Sequence, residues 1–238
     1  MAVKQVNYEN KTFAINYEIV NPACEKTMVF LHGWGSNKEV MKSSFSPFLK
    51  DYKHIYVDMP GFGKSENKYI LTTQDYANII KEFLKNESNL IAIAGHSFGG
   101  KVATILNPKN LILLSSAGII EEKSSQVKFK IKLAKFLNIF GLGNLTKAFR
   151  SKDVNTMSQN MYETFKNVVD EDFTNSFKAF KNNALIFWGE QDRATSLESG
   201  KKIAHLIKNS KFYSYNSDHY FFMKYANEIT TKINDGIL

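Results

Sequence analysis

The sequence predicts an α/β fold, in which a mostly parallel central sheet is flanked by helices and carries a helical lid insertion. Short apolar segments such as residues 90–94 and 111–114 are continuously hydrophobic, which is typical of strands buried on both faces. Stretches of helical periodicity separate these segments along the chain. After Gly118 the strand pattern stops, and the segments that follow favour helix.

The first part of the chain supplies the opening strands. Residues 3–8 and 11–20 alternate apolar and polar side chains, which predicts a hairpin. A buried strand at residues 27–31, a helix at 38–50 and a strand at 54–57 follow. Both buried strands end in glycine-containing turns, H-G-W-G and D-M-P-G-F-G.

The middle of the chain continues the alternation. An amphipathic helix begins near Thr72 or Thr73, either of which can serve as its N-cap. The buried strand at residues 90–94 leads into a short helix at 97–106, which a following Asn-Pro pair ends. Residues 111–115 form the next strand.

Residues 119–182 are interpreted as a helical lid, inserted into a core made of residues 1–118 and 183–238. The helices expected in the lid are residues 123–140, 145–149, 157–169 and 173–180. The core then resumes with strands at 184–188 and 211–215 and helices at 196–207 and 220–233.

Composition limits the possible functions. The 238 residues are 43% hydrophobic, enough for a sizeable core. Cys24 is the single cysteine, which excludes an internal disulfide and a thiolate metal site. The net charge of +8 comes mostly from lysine, and the only arginines are Arg150 and Arg193, which argues against nucleic-acid binding. Without a secretory signal or a run of spanning length, we expect a cytoplasmic protein with no stable membrane insertion.

Ser97 is the candidate nucleophile. It occupies the centre of Gly95-His96-Ser97-Phe98-Gly99, a G-x-S-x-G pentapeptide between a buried strand and a helix. Such a turn holds the serine in a strained conformation with its hydroxyl projecting, and its small residues let the strand and helix approach. The pentapeptide alone also fits an ordinary Gly/Ser-rich turn, but the strand-turn-helix context favours the nucleophile.

A serine hydroxyl needs a base, and His219 is the candidate. It lies in a polar turn after the last strand, whereas His32, His54, His96 and His205 fall in other turns, strands and helices. The order serine, acid, histidine along the chain also agrees with the pattern of this type of site.

The acid that orients the base is expected in the loop after the strand at residues 184–188. Asp192 is preferred over Glu190 because it lies further out in the loop. Asp218 stays an alternative, although neighbouring residues on an extended turn tend to point apart.

Acyl transfer also needs donors for the developing oxyanion. The backbone N–H of Phe98, the residue after the nucleophile, is one candidate, and the N–H of Trp34 in the H-G-W-G turn is the second. A tight turn that needs glycine only for steric reasons is the simpler interpretation of that turn.

Five motifs in order resemble the α/β-hydrolase superfamily over essentially the whole chain. They are H-G-W-G at 32–35, D-M-P-G-F-G-K-S at 58–65, G-H-S-F-G-G at 95–100, W-G-E-Q-D at 188–192 and D-H at 218–219. The sequence looks most similar to lid-bearing carboxylesterases such as the pimeloyl-carrier-protein methyl ester esterases. Meta-cleavage product hydrolases also look similar, but they tend to carry an asparagine before the serine.

The resemblance implies hydrolysis of a carboxylic ester or thioester by a Ser-His-Asp acyl-enzyme mechanism that requires no metal or organic cofactor. It also implies that residues 58–65 form a structural loop. Hydrolysis of a C–C bond stays an alternative, and so does a lyase that uses the same residues, because the fold does not determine the reaction.

The expected substrate is a small-molecule acyl ester. Lysines in the first part of the lid, such as Lys128, Lys130 and Lys132, form a basic surface that could attract an acidic acyl carrier protein. A solvated lysine face is the simpler interpretation. The sequence does not indicate an oligomeric state.

Overall fold

A computed structural model describes residues 2–120 and 157–237, and the strands within these ranges form one eight-stranded sheet. The strands are β1 (Ala2–Tyr8), β2 (Lys11–Val20), β3 (Thr27–Leu31), β4 (Lys53–Val57), β5 (Leu90–His96), β6 (Asn110–Leu114), β7 (Asn183–Gly189) and β8 (Ser210–Tyr215). Their order across the sheet is β1-β2-β4-β3-β5-β6-β7-β8. The first two pairings are antiparallel and all the others are parallel, which confirms the predicted mostly parallel sheet.

Helices cover both faces of this sheet. They are α1 (Lys38–Phe45), α2 (Thr73–Leu84), α3 (Phe98–Leu106), α4 (Gln159–Val169), α5 (Thr174–Ala179), α6 (Leu197–Leu206) and α7 (Phe222–Gly236). Side chains of α2, α3, α4 and α6 pack on one face, and those of α1 and α7 pack on the other. In β3, Val29 and Leu31 face the first layer while Met28 and Phe30 face the second, so the strand is buried on both sides.

Helix α1 and strand β5 are two of the elements whose lengths differ from the prediction. Helix α1 ends at Phe45 rather than at residue 50, because Pro47 has no N–H with which to continue the helix. The chain turns there instead, and the Phe48 N–H donates to the Phe45 carbonyl at 3.1 Å. Strand β5 continues to His96, because Gly95 and His96 still pair with Leu113 and Leu114 of β6.

The described part of the predicted lid contains α4 and α5, close to the helices expected at residues 157–169 and 173–180. Phe173, Phe177 and Phe180 are buried in the same core cluster as α3. The end of the predicted lid therefore packs on the same face of the sheet as α3. The helices expected at residues 123–140 and 145–149, with the basic lysine surface, lie outside the described residues. Within the described ranges no helix has the length and apolarity needed to cross a membrane.

Two buried polar groups fix the turns that follow β3 and β4. Asp58 is fully buried and accepts hydrogen bonds from the Lys38 N–H at 2.8 Å, the Lys38 ammonium at 2.7 Å and the Lys64 N–H at 3.0 Å. It thereby ties the start of α1 to residues 58–65. His32 contacts the Gly33 carbonyl through Nδ1 at 2.7 Å and accepts from the Met59 N–H through Nε2 at 3.1 Å. Burial lowers the pKa of His32 to about 4, so the imidazole is neutral near pH 7.

We expect Asp58→Asn to destabilise the fold by about 3 kcal/mol, because it removes the buried carboxylate at 2.7 Å from the Lys38 ammonium and leaves only the exposed Glu39 at 3.5 Å. Urea unfolding of the variant and the parent chain measures this change. Glu82→Gln is the matched control, since Glu82 pairs with Lys85 on the surface and such pairs contribute at most about 1 kcal/mol. Equal effects of the two substitutions would contradict the structural role of Asp58.

Candidate active site

Ser97 lies in a strained turn between β5 and α3, which we call the serine turn (residues 95–99). Its backbone has φ 51° and ψ −113°, a conformation that L side chains rarely adopt. A Cβ on Gly95 would lie 2.3 Å from the Gly99 carbonyl oxygen, and one on Gly99 would lie 2.5 Å from the Leu31 carbonyl oxygen. Both glycines are therefore required by the close approach of strand and helix, as the pentapeptide predicts.

A second group of candidate residues lies at the carboxyl ends of β7 and β8. The imidazole Nδ1 of His219 is 2.6 Å from Oδ2 of Asp192. The Asp192 side chain is fully buried, whereas 16% of the His219 side chain is exposed. Because an ionised carboxylate can only accept, Nδ1 carries the proton, and the opposite nitrogen, Nε2, is left with a free lone pair.

The loop around Asp192 holds the carboxylate in place. Oδ1 accepts from the backbone N–H groups of Ala194 at 2.8 Å and Thr195 at 2.9 Å, and Oδ2 also accepts from the Thr195 hydroxyl at 3.0 Å. Burial by itself raises the pKa of Asp192, but the hydrogen bonds from His219 and Thr195 outweigh burial and lower the pKa to about 2. Asp192 is therefore ionised near pH 7.

The two alternative acids contact other groups. Glu190 is exposed and accepts from the Ser214 hydroxyl at 2.7 Å. Asp218 is also exposed, and its carboxylate accepts from the Tyr220 N–H at 2.9 Å just before α7. Of these three acids, Asp192 is the one whose carboxylate contacts the His219 imidazole.

His96 holds the His219 loop against the end of β5. Its Nε2 is 3.1 Å from the His219 carbonyl oxygen, and the two imidazole centroids are 4.5 Å apart. Burial lowers the pKa of His96 well below its ordinary value, so His96 is neutral. His219 is thus brought beside the residue that precedes Ser97. The hydrogen bonds of the described residues do not include one between Ser97 and His219, a contact that often tightens only when substrate binds.

Two residues that contact the site are not predicted from the sequence. The sequence predicts His96 only as part of the serine turn, and it predicts no function for Thr195. Thr195 lies three residues after Asp192, and this spacing is a signal of local side-chain to backbone bonding that could have indicated it. The contact of His96 with His219 joins residues far apart in the chain and has no comparable local signal.

Trp34 and Phe98, the two candidates for the oxyanion donors, lie together beside Ser97. Their rings meet edge to face, with centroids 5.5 Å apart. Phe98 is the first residue of α3, where backbone N–H groups have no partner within the helix. The Gly33-Trp34 turn lies against the serine turn, since a Cβ on Gly33 would be 3.2 Å from the Ser97 Cβ.

Two cavities meet at Trp34. The smaller cavity, about 300 Å³, is lined among the described residues by Trp34, Ser97, Phe98, Lys101, Phe165 and Thr195, with others of α4. The larger cavity, about 600 Å³, is lined by Trp34, Gly61, Phe62, Met161 and Tyr220, among others. This arrangement can hold two substituents of one substrate, one in the cavity that contains Ser97 and one in the cavity on the other side of Trp34. No group of three or more His, Cys, Asp or Glu residues in ranges 2–120 and 157–237 is placed to hold a metal ion.

The sequence matches a family model described as the alpha/beta hydrolase family over residues 28–206. It is 26% identical over 240 aligned positions to the uncharacterized hydrolase YugF of Bacillus subtilis, a match that covers 84% of this chain and 85% of that protein. It is 33% identical over 87 residues to the pimeloyl-[acyl-carrier protein] methyl ester esterase of Proteus mirabilis. That second match covers 35% of this chain and 33% of the relative.

Solved structures share the fold. An esterase from Exiguobacterium antarcticum superposes with a TM-score of 0.76 at 20% identity, covering 98% of each chain. A thermophilic esterase from Thermogutta terrifontis gives a TM-score of 0.73 at 16% identity, covering 99% of this chain and 97% of the other. At these identities the likeness shows the α/β-hydrolase architecture.

The lowered pKa of Asp192 predicts a pH-dependent contribution to stability. A carboxyl whose folded pKa of about 2 lies below its ordinary 3.8 stabilises the fold above pH 3.8 and loses that contribution as the pH falls towards 2. The free energy of unfolding should therefore differ more between the parent chain and Asp192→Asn at pH 5 than at pH 3, as measured with urea. The exposed Glu190→Gln is the control and should change stability little. A difference that stays constant or widens at pH 3 would contradict the assigned hydrogen bonds.

Proposed function

This chain belongs to the alpha/beta hydrolase family, and we propose that it is a serine hydrolase that cleaves carboxylic ester or thioester bonds. The observation that carries the proposal is the hydrogen bond of 2.6 Å between His219 and the buried Asp192 carboxylate, at the same edge of the sheet as the strained Ser97. In this proposal Ser97 is the nucleophile, His219 the general base and Asp192 the group that orients the base.

Acylation would proceed in two steps. His219 Nε2 takes the proton from the Ser97 hydroxyl while the oxygen attacks the substrate carbonyl, forming a tetrahedral intermediate. His219 then gives that proton to the leaving alcohol or thiol, the bond to the leaving group breaks, and an ester of Ser97 remains. The ionised Asp192 supports the imidazolium that exists between these steps, which is consistent with its low pKa.

Water completes the cycle. His219 takes a proton from a water molecule as its oxygen attacks the acyl carbonyl, and returns the proton to Ser97 as the acid leaves. We propose that the N–H groups of Phe98 and Trp34 stabilise the negative oxygen in both halves, each contributing about 2.7–4 kcal/mol. The position of Phe98 at the start of α3 supports its part, since the helix N-terminus favours negative charge.

We further propose that the substrate is a small-molecule acyl ester, that an acidic acyl carrier protein can present it, and that the enzyme acts in the cytoplasm. The net charge of +8 is compatible with an acidic carrier. The name of the Proteus mirabilis relative, a methyl ester esterase that acts on a carrier-linked acyl group, points in the same direction. The two cavities that meet at Trp34, the smaller of which is lined by Ser97, offer one space for each side of a scissile ester.

Ser97→Ala should abolish both turnover of short-chain p-nitrophenyl esters and covalent labelling by a fluorophosphonate, because the attacking oxygen is gone. Its folding should be retained, which a urea unfolding curve checks. Near-native activity in this variant would refute Ser97 as nucleophile. If the parent chain neither labels nor turns over esters, the C–C hydrolase alternative becomes the next reaction to assay, with vinylogous diketones.

Asp192→Asn should lower kcat by about 10⁴-fold, because an amide cannot hold the required tautomer of His219 or support its positive charge. Steady-state kinetics with p-nitrophenyl acetate measures the loss. Glu190→Gln is a matched control from the same loop and should keep kcat within about twofold, since Glu190 bonds to Ser214 on the surface. If the Glu190 variant is the more impaired, the acid is wrongly assigned.

A further inference from the structure

Helix α3, which begins directly after Ser97, carries a lysine on the wall of the smaller cavity. Lys101 lies one turn beyond Ser97 and is 1% exposed. The rest of the lining is mainly apolar, including Trp34, Phe98 and Phe165. A buried ammonium is costly unless it is paired and hydrogen-bonded, so its partners decide what it can do.

The ammonium of Lys101 has two acceptors among the described residues. It donates to the Val168 carbonyl and to Glu171 Oε2, the latter at 3.0 Å. The rings of Phe98 and Phe173 lie beside it, with centroids 5.6 and 5.2 Å away. An ammonium has three N–H donors, so one donor is left without an oxygen or nitrogen acceptor from the described protein.

Glu171 already balances the charge of this ammonium. Its Oε2 accepts from Lys101 and also from the Thr73 hydroxyl on α2. Burial lowers the pKa of Lys101, and the neighbouring Glu171 counteracts that effect and favours the charged form. The pair as a whole is neutral. A second carboxylate brought into this apolar cavity would leave an excess negative charge, which a poorly hydrated site disfavours.

We propose that Lys101 is a specificity-determining residue for the acyl group, and that the smaller cavity selects acyl chains bearing a neutral hydrogen-bond acceptor such as a keto or second ester oxygen. The remaining N–H of Lys101 donates to that acceptor, while the apolar walls contact the methylene groups. Plain alkanoyl chains leave the donor unpaired, and free carboxylates unbalance the Lys101–Glu171 pair. This inference rests on the proposed function, since it concerns the acyl group that Ser97 attacks.

Three p-nitrophenyl esters test the proposal in the full chain: heptanoate, 6-oxoheptanoate and the half-ester of adipate. For the parent chain, kcat/KM should be highest for the oxo ester. Lys101→Met should lower the ratio of oxo ester to heptanoate about tenfold, because a hydrogen bond to a charged donor is lost while the length of the side chain is kept. Oxo esters whose keto group lies one carbon nearer to or further from the scissile carbonyl should also lose kcat/KM relative to heptanoate in Lys101→Met when that oxygen accepts from the ammonium. Lys201→Met, on the surface of α6, is the matched control and should leave the ratio unchanged.

Glu171→Gln tests the charge balance independently, and it serves if Lys101→Met does not fold. Without the Glu171 carboxylate, the exposed Asp170 is the remaining negative charge that acts on the ammonium, so the ratio of adipate half-ester to heptanoate should rise about tenfold. A purely structural Lys101 predicts that each variant changes all three esters by one common factor, and that result would overturn the proposal while leaving Ser97-dependent hydrolysis intact. Absence of any Ser97-dependent turnover would overturn the proposed function and this inference together.

Discussion

Backbone atoms of β3, β5 and α3 approach one another at Gly95 and Gly99 more closely than any side chain would allow. With a Cβ at either glycine, the helix would have to move away from the sheet. Because strand and helix are so close, the residue between them does not have a relaxed backbone conformation, and Ser97 has a positive φ. The direction of α3, the position of its first N–H groups and the place of the Ser97 hydroxyl all follow from this one constraint.

The position of Asp192 and His219 depends on a different principle, the meeting of parallel strand ends at one edge of a sheet. Asp192 follows β7 and His219 follows β8, and the parallel pairing of these strands brings the two loops together. The loop of Asp192 supplies the carboxylate with hydrogen bonds from its own backbone and from Thr195, so a buried negative charge is stable there. His96 then links this pair back to β5.

Lys101 connects the site to the segment that covers it. Its ammonium joins α3 to Val168 at the end of α4 and to Glu171 just after that helix, and Glu171 extends the connection to Thr73 on α2. Helix α3 and the described end of the predicted lid are therefore held together by the polar contacts of the buried Lys101. A substrate acceptor that entered this cluster would contact both at once, which relates acyl selectivity to the position of the covering helices.

The sequence by itself determined the features that local chemistry specifies. Continuous apolar segments predicted the strands of the sheet, Thr72 and Thr73 placed the start of α2 to within one residue, and the glycines around Ser97 predicted the serine turn. It placed Asp192 and Glu190 in one loop but could rank them only by position and resemblance. The tertiary structure decided that the Asp192 carboxylate faces His219, that β5 extends to His96, and that Lys101 lies on a cavity wall. Those outcomes depend on contacts between residues that are far apart in the chain. Local spacing and periodicity do not specify how close such residues come in the folded protein.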